Sequence, residues 1–418
     1  MSERLEVNAH FFDRLVEAGQ ARGIEATEDI VCGNGVKLVA KGAAIDARMR
    51  ERLLQHKLRK PLEACTRLVA GVSARPMDAI ADRLMNEHAL LASLCREEQA
   101  TAVLAGFRDL RLSAPLDTLL TVYADSAAGK LMHAVGVSLI AGALTASLHP
   151  ERPLGPVLVA GLMHDVGELY IDPAILGTTE RLTPEQWRHV VAHPAIAAGL
   201  LRELPGAGSD IAQAVLQHHE RLDGLGFPAG VGGGHWSSTG QVLAMAELMM
   251  EMLDASDCAS AQARVRLKLM HTQFDRPLLD WVDRCCREVA GATPLEATVD
   301  LRARIQSLRE CLSAQCEFQA RWAVRSADGR VQALLQRLEL RLLGMHQAIA
   351  TTGLIDVLDD DVLSPAEAAE LEVVTAELHG RMRELAYELH WRASQLPAGD
   401  GQALRADFEI SVPMPLAA

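Results

Sequence analysis

The sequence is poor in aromatic residues, and this shortage favours a helical protein. Phe, Tyr and Trp together make up 4 % of the 418 residues, whereas hydrophobic residues of all types make up 49 %. Ala, Leu, Arg, Glu and Met dominate instead, and these residues lose little conformational freedom in a helix. We therefore expect a mainly α protein, and its length predicts two or three domains.

Positive charge is also in short supply. The formal net charge is -14 and the isoelectric point is about 5.5. A chain of this balance has no overall basic field to hold a nucleic-acid backbone or an anionic membrane surface. We therefore predict no polymeric nucleic acid and no membrane among its partners.

A cysteine framework and a long apolar run are missing as well. The eight cysteines show no CxxC spacing, which fits reduced thiols and argues against metal binding by sulfur. The N-terminus lacks the apolar core of a signal peptide, and we find no run of about 18 uncharged apolar residues. These absences predict a soluble, cytoplasmic protein.

Differences in patterning along the chain predict four segments. Residues 1–105 form a small α+β domain, because β-branched residues flank an Asn-Gly dipeptide typical of a hairpin at positions 34–35. Residues 106–292 carry one helical pattern after another. Residues 293–396 contain longer amphipathic stretches at 297–324, 329–350 and 364–395, which predict a helical hairpin or bundle. Residues 397–418 lack periodicity and predict a poorly ordered tail.

A His-Asp pair, His164 and Asp165, ends an apolar helical stretch in the second segment. Both side chains can turn toward one point, and a carboxylate can bridge two cations. A lone His-Asp pair is common by chance, and a histidine such as His133 on an apolar stretch is as readily a buried residue bonded to a carbonyl. The number of such residues is what indicates a site. Five histidines and an aspartate follow apolar runs on four predicted helices: His133, His164, Asp165, His193, His218 and His219.

Imidazole and carboxylate ligands without thiolates suit Fe, Mn, Zn or Ni. Two such ions, about 3.5 to 4 Å apart, can polarise a phosphoryl oxygen and activate the attacking water. The residues therefore predict hydrolysis of a phosphoester.

The same stretch resembles the HD-GYP family of HD phosphohydrolases over about residues 115 to 290. The resemblance rests on four motifs in the family's order: His164-Asp-Val-Gly-Glu168, His193-Pro194, His218-His-Glu-Arg-Leu-Asp-Gly-Leu-Gly-Phe-Pro228 and Thr272-Gln-Phe-Asp-Arg-Pro-Leu278.

The resemblance implies a helical HD-type bundle that binds divalent metal ions, commonly iron or manganese, and hydrolyses cyclic di-GMP. By position, the implied metal ligands are the six residues above, with Asp165 bridging, and Glu247 in place of the family's last aspartate. His164 and Asp165 are the implied catalytic residues. The implied substrate-binding residues are Glu168, Gly226, Phe227 and Pro228.

The sequence departs from the family pattern at several of these positions. Glu168 replaces a lysine that would meet a substrate phosphate, and Phe227 replaces a tyrosine, which removes a hydroxyl donor. Gly129 stands where the family has a glutamate for a third metal, so we predict two divalent ions.

Three hypotheses follow for function. The first is a phosphodiesterase acting on cyclic di-GMP or a related cyclic dinucleotide. The second is a catalytically degenerate module that binds a signalling protein through the loop at residues 224–230. The third is a phosphohydrolase acting on another nucleotide. The C-terminal helices are interpreted as a homodimer interface, a signalling connector or an ordinary packed bundle.

Overall fold

The computed structural model describes residues 6–72, 76–178, 182–254, 260–289, 301–322, 328–351 and 365–411. The chain is mainly helical, as predicted, with a few short strands. It divides into two compact units, of which unit 1 is Met1–His219 with Ser237–Asp254, and unit 2 is Glu220–Trp236 with Ala255–Ala418.

The boundaries of the two units differ from those of the four predicted segments. Residues 220–236, and those from 255 onward, group with the C-terminal helices in unit 2. The division into four segments stays a prediction.

The N-terminal part of unit 1 holds four short strands in two antiparallel sheets. The predicted hairpin is present, with Ile30 opposite Val39 and with Gly35 at a φ of 89° in the turn. The strands are β1 Ile24–Ala26, β2 Ile30–Val31, β3 Lys37–Val39 and β4 Thr66–Leu68, paired as β1 with β4 and β2 with β3.

Helices make up the rest of unit 1. They are α1 Ala9–Arg22, α2 Arg50–Leu54, α3 Leu62–Cys65, α4 Met77–Glu87, α5 Ala89–Leu94, α6 Glu97–Asp109, α7 Ala114–Ser126, α8 Lys130–Leu148, α9 Leu154–Met163, α10 Pro173–Leu176, α11 Pro184–Val190, α12 His193–Glu203, α13 Ser209–Leu216 and α14 Ser238–Asp254. Two 3-10 helices, Ala47–Met49 and Val166–Tyr170, complete the unit.

Helix α8 is the central helix of unit 1, and it corrects one sequence expectation. Residues 131–148 carry no Asp, Glu, Lys or Arg, so an uncharged helix of membrane-spanning length does exist. Within the described residues it is the one helix that meets the length and composition of a span. Most of it is buried among α4, α6, α7, α9 and α14, as is typical of a core helix.

Two glycines allow close packing around the His-Asp pair. A Cβ at Gly161 would overlap the backbone of Ser138, so glycine lets α9 cross α8 closely, and the Ser138 hydroxyl donates to the Leu158 carbonyl at 2.8 Å. A Cβ at Gly167 would overlap the carbonyl oxygen of His193. The glycine of the His-Asp-x-Gly motif therefore brings the chain after Asp165 against the start of α12.

Unit 2 is built on long amphipathic helices. Helix α18, Gly329–Ala350, has the predicted bounds. Its N-cap is Asp328, whose side chain accepts from the backbone N–H of Arg330. Apolar residues three and four positions apart form its buried face. The helices are α15 Ser260–Leu269, α16 Arg276–Val289, α17 Leu301–Trp322, α18 Gly329–Ala350, α19 Pro365–Ala393 and α20 Ala398–Ser411, with a 3-10 helix at Gly233–His235.

Helix α20 shows that the predicted disordered tail was wrong for residues 398–411. Leu404 and Phe408 are four positions apart, so they share one helix face, and both are buried. The Phe408 ring packs edge-on against Phe318 with centroids 5.0 Å apart, and the Trp322 indole donates to Asp407 at 2.9 Å. Residues 412–418 lie outside the described residues.

Candidate metal centre

Unit 1 brings together all seven side chains that the sequence analysis proposed as metal ligands. They come from the ends or faces of five helices: His133 on α8, His164 at the C-cap of α9 with Asp165 beside it, His193 at the start of α12, His218 and His219 after α13, and Glu247 on α14.

These side chains form two groups that share one carboxylate. In each group the ligand atoms lie within 4.8 Å of one another. The first group is Asp165, His193, His218 and His219, and the second is His133, His164, Asp165 and Glu247. Each group has the size and chemistry to hold one metal ion.

The two oxygens of Asp165 face different groups. Oδ1 lies 3.2 Å from Nε2 of His193 and 3.6 Å from Nε2 of His218. Oδ2 lies 3.1 Å from Nε2 of His164 and 4.0 Å from Nε2 of His133. A carboxylate placed in this way can bind one cation with each oxygen.

Three of the histidines are oriented by the same local device. Nδ1 of His164 lies 2.7 Å from the carbonyl of Gly161, that of His193 lies 2.7 Å from Val190, and that of His218 lies 2.6 Å from Val215. A carbonyl oxygen only accepts, so each Nδ1 carries the proton. The other nitrogen, Nε2, then carries a lone pair in the neutral ring, which is the form that binds a metal.

These carbonyls are available because the helices end there. The last carbonyls of a helix have no partner inside the helix, and each histidine follows its carbonyl by three residues at the end of α9, α11 or α13. The position of each histidine just after the end of a helix therefore sets both its tautomer and its direction.

The possible metal-binding atoms lie close together, and a cation would compensate their lone pairs and negative charge. Nε2 of His193 and Nε2 of His218 lie 3.2 Å apart, although both are acceptors when the rings are neutral. Nε2 of His164 lies 3.0 Å from Oε2 of Glu247. Both atoms of that second pair are buried, and within the described residues neither has a hydrogen-bond partner. The arrangement fits divalent metal ions.

The charges within the centre are strongly interdependent. Burial raises the pKa of Asp165 and of Glu247, but the neighbouring imidazoles lower each pKa more, so that both lie well below their usual values. Burial lowers the pKa of His164 and of His193, but Asp165 raises it together with Glu247 at His164 and with Glu168 at His193, so the pKa of both histidines is raised. Without metal, protons on imidazoles balance the carboxylates, and a bound cation takes the place of those protons.

Tyr123 is a contributor that the sequence analysis missed. Its hydroxyl donates to Oδ2 of Asp165 at 3.2 Å, and burial raises the pKa of Tyr123 well above 10, so the phenol keeps its proton. The residue lies inside the apolar pattern of α7 and belongs to no motif. The sequence around Tyr123 therefore gives no indication of this role.

Glu168 does not present the open negative charge that the sequence suggested. Oε2 of Glu168 lies 2.5 Å from Nζ of Lys130, and both side chains are partly buried. Lys130 was also missed, although a signal exists, because it precedes His133 by three positions on α8 and so lies on the same helix face.

The other proposed substrate-binding residues, Gly226, Phe227 and Pro228, lie in unit 2. The carboxylate of Glu220 supports this loop by accepting three hydrogen bonds from backbone N–H groups. The donors are Ala229 at 2.7 Å, Gly230 at 3.1 Å and Val231 at 2.9 Å. Arg392 donates to the carbonyl of Gly226. The peptide bond between Phe227 and Pro228 is cis.

Comparison with known proteins identifies the domain. A family model described as an HD domain matches residues 119–278, a range that contains all seven side chains. A cyclic di-GMP phosphodiesterase of Pseudomonas aeruginosa is 30 % identical over 163 residues, which are 34 % of this chain and 39 % of that protein. Residues 119–278 are thus an HD domain, and they resemble the HD-GYP family of such domains. The predicted resemblance is thereby confirmed.

Other relatives match shorter stretches. A 3'3'-cGAMP-specific phosphodiesterase of Vibrio cholerae is 36 % identical over 89 residues, which are 21 % of this chain and 19 % of that protein. The solved structure of an HDG"Y"P protein from Bdellovibrio bacteriovorus matches with a TM-score of 0.35 and 16 % identity, covering 50 % of this chain and 69 % of that one. The chain spans less than half the length of either curated relative.

Proposed function

We propose that this chain is a metal-dependent phosphodiesterase that hydrolyses a cyclic dinucleotide. The observation that carries the proposal is the placement of Asp165, with one oxygen on each of two groups of donor atoms. Two adjacent cations held in this way are suited to phosphoester hydrolysis.

The centre would hold two divalent ions. The ligands would be His133, His164, Asp165, His193, His218, His219 and Glu247, and Asp165 would be shared by the two ions. Nitrogen and oxygen donors without thiolate favour Fe or Mn, with Zn or Ni as alternatives. When bound, the ions would polarise a phosphoryl oxygen and lower the pKa of a water molecule.

The residues of the chain set the geometry for this reaction. The backbone carbonyls hold the Nδ1 proton of His164, His193 and His218, so Nε2 is the ring nitrogen that would face a cation in each. The Tyr123 hydroxyl holds Asp165 in place. His133 and His219 are the more exposed ligands, so their side of the centre faces the incoming substrate.

The substrate class is supported by the relatives, whose names include cyclic di-GMP and 3'3'-cGAMP phosphodiesterases. Gly226, Phe227 and Pro228 remain proposed substrate-binding residues, as the family resemblance implies. Glu168 would act through Lys130, because the two side chains form an ion pair.

Finer proposals concern partners and location. A homodimer through the C-terminal helices is supported by Leu340 and Leu343 on α18, each 48 % exposed. A signalling protein bound at the loop 224–230 would compete with arginine contacts that already hold this loop. We also propose a cytoplasmic location, as expected for an enzyme acting on an intracellular signalling nucleotide.

The test is turnover by the full chain loaded with Mn(II), or with Fe(II) under anaerobic conditions. Cyclic di-GMP, 3'3'-cGAMP and a panel of linear nucleotides are incubated separately, and the products are separated chromatographically. The proposal predicts that a cyclic dinucleotide is converted to a linear product, and that a chelator abolishes the reaction.

Two other outcomes would replace the proposal. Metal binding without turnover of any substrate would favour a regulatory module that has kept the fold. Turnover limited to a non-cyclic nucleotide would favour a phosphohydrolase of another specificity.

A further inference from the structure

Lys130 occupies a defined place beside the metal centre that no ligand role explains. It is the first residue of α8, directly after Gly129, whose φ of 85° starts the helix. His133 follows three positions later, so the two side chains lie on one face of the helix. The ammonium group is therefore carried on the same rigid element as a proposed ligand.

Two contacts hold the Lys130 side chain in position. Its Nζ lies 2.5 Å from Oε2 of Glu168 and 5.1 Å from the centre of the Tyr123 ring. Tyr123 in turn donates to Asp165, so the same aromatic residue contacts both the lysine and the shared carboxylate. A lysine restrained by an ion pair and an aromatic face loses less entropy on binding a ligand than a free one.

The side chains of the centre differ in exposure, and Lys130 is at the open end. The side chain of His164 is 0 % exposed, that of Asp165 is 9 %, that of His133 is 16 % and that of Lys130 is 30 %. A ligand approaching from solvent therefore reaches Lys130 before it reaches the most buried donors. An ammonium group has three N–H donors, and its ion pair with Glu168 does not use all of them.

We propose that Lys130 is a substrate-binding residue that donates to a phosphate oxygen of the cyclic dinucleotide, and that Glu168 positions it. This inference rests on the proposed function. A phosphodiester is an anion, and a fixed ammonium beside two cation sites adds the charge and the donors that such a group requires. Glu168 then acts as a positioning residue and not as a repulsive charge.

The alternative is that Lys130 only neutralises Glu168, and a double variant separates the two. Lys130→Met with Glu168→Gln removes both charges, so the net charge of the centre is unchanged and no carboxylate is left unpaired. The single variant Glu168→Gln keeps the ammonium, and Lys130→Arg keeps a cation on the same stem.

The experiment measures binding of inorganic phosphate to the Mn(II)-loaded full chain by isothermal titration, together with metal content and with kcat and KM. We expect the double variant to keep its metal, to bind phosphate about tenfold more weakly, and to show a KM about tenfold higher, equivalent to about 1.4 kcal/mol. Glu168→Gln should bind phosphate at least as tightly as the unchanged chain, and Lys130→Arg should restore most of the affinity.

Phosphate binding by the double variant equal to that of the unchanged chain, at equal metal content, would overturn the assignment. If the unchanged chain hydrolyses no cyclic dinucleotide, but its phosphate affinity still depends on Lys130, the proposed function fails and the phosphate site stands. Should the double variant not fold, equal phosphate binding by Lys130→Gln and Lys130→Arg would equally overturn it, and a loss in Lys130→Gln alone would support it.

Discussion

The metal centre of unit 1 and the loop Glu220–Trp236 of unit 2 are built in opposite ways. Each oriented histidine of the centre depends on a carbonyl three residues earlier in the chain. The loop is held partly by its own Glu220 and also by side chains more than a hundred residues later. Contacts between residues that are close in the chain leave a recognisable pattern in the sequence, whereas contacts between distant residues do not.

Arginines of α18 and α19 are the distant supports of the loop. Arg341 makes two hydrogen bonds of 2.7 Å to the buried carboxylate of Asp223, and Arg337 donates to the carbonyl of Gly224 at 2.9 Å. Arg392 donates to the carbonyl of Gly226. The C-terminal helices thus determine the conformation of the loop within unit 2.

The largest expected effect is on the metal centre. His164→Ala removes a ligand that lies close to both carboxylates, so turnover should fall by at least about 10³-fold. His189→Ala is the matched control, because His189 is an exposed histidine of the same unit outside both groups. Steady-state rates of both variants check this, and equal losses in the two would contradict the assignment.

The next effect concerns the loop. Arg341→Ala leaves Asp223 buried without its cation, which should lower the free energy of unfolding of unit 2 by about 3 to 5 kcal/mol. Chemical denaturation measures this. Arg276→Ala, which removes an exposed ion pair with Asp280, is the control and should change stability little. A small effect of Arg341→Ala would show that the loop does not need its distant support.

Tyr123→Phe tests the support of Asp165. The variant keeps the ring but removes the hydroxyl that donates to Asp165, and loss of such a partner typically costs about 10- to 100-fold in metal affinity. Competition with a metal-binding dye measures the affinity. Affinity equal to that of the unchanged chain would mean that the hydroxyl does not orient the carboxylate.

The smallest effect is a pH dependence of the metal-free form. The pKa values of His164 and His193 are raised above 6.5 by Asp165, so their protonated forms stabilise the metal-free fold fully below pH 6.5. This stabilisation is lost as the pH rises through the raised values. Bound metal replaces the protons, so the loaded form should not show the loss.

Thermal unfolding between pH 6 and pH 9, with and without Mn(II), measures this difference. The gap between the two melting temperatures should widen as the pH rises, by about 2 to 4 °C for each kcal/mol. A gap that narrows with rising pH would be inconsistent with protonated histidines in the metal-free centre.

The sequence predicted the helical class from its composition and the hairpin from the Asn34-Gly35 dipeptide. The apolar runs that precede five histidines and Asp165 indicated these residues as ligands, whereas Glu247 was implied only by the family resemblance. The bounds of α18 were also predicted, since its Asp328 cap and its apolar spacing are local signals.

The sequence did not predict the features that depend on tertiary contacts. Lys130 and Glu168 are 38 positions apart, so the sequence carries no sign of their ion pair, and Glu168 was interpreted only as the replacement of a phosphate-binding lysine. The order of α20 depends on Phe408 packing against Phe318, which no short window contains.

The most direct test of the account is the metal stoichiometry of the purified full chain, by elemental analysis of the unchanged protein and of Asp165→Ala. The account predicts about two divalent ions per chain, and loss of both when the shared carboxylate is removed. An unchanged protein without metal, or a metal content that Asp165→Ala leaves intact, would contradict it.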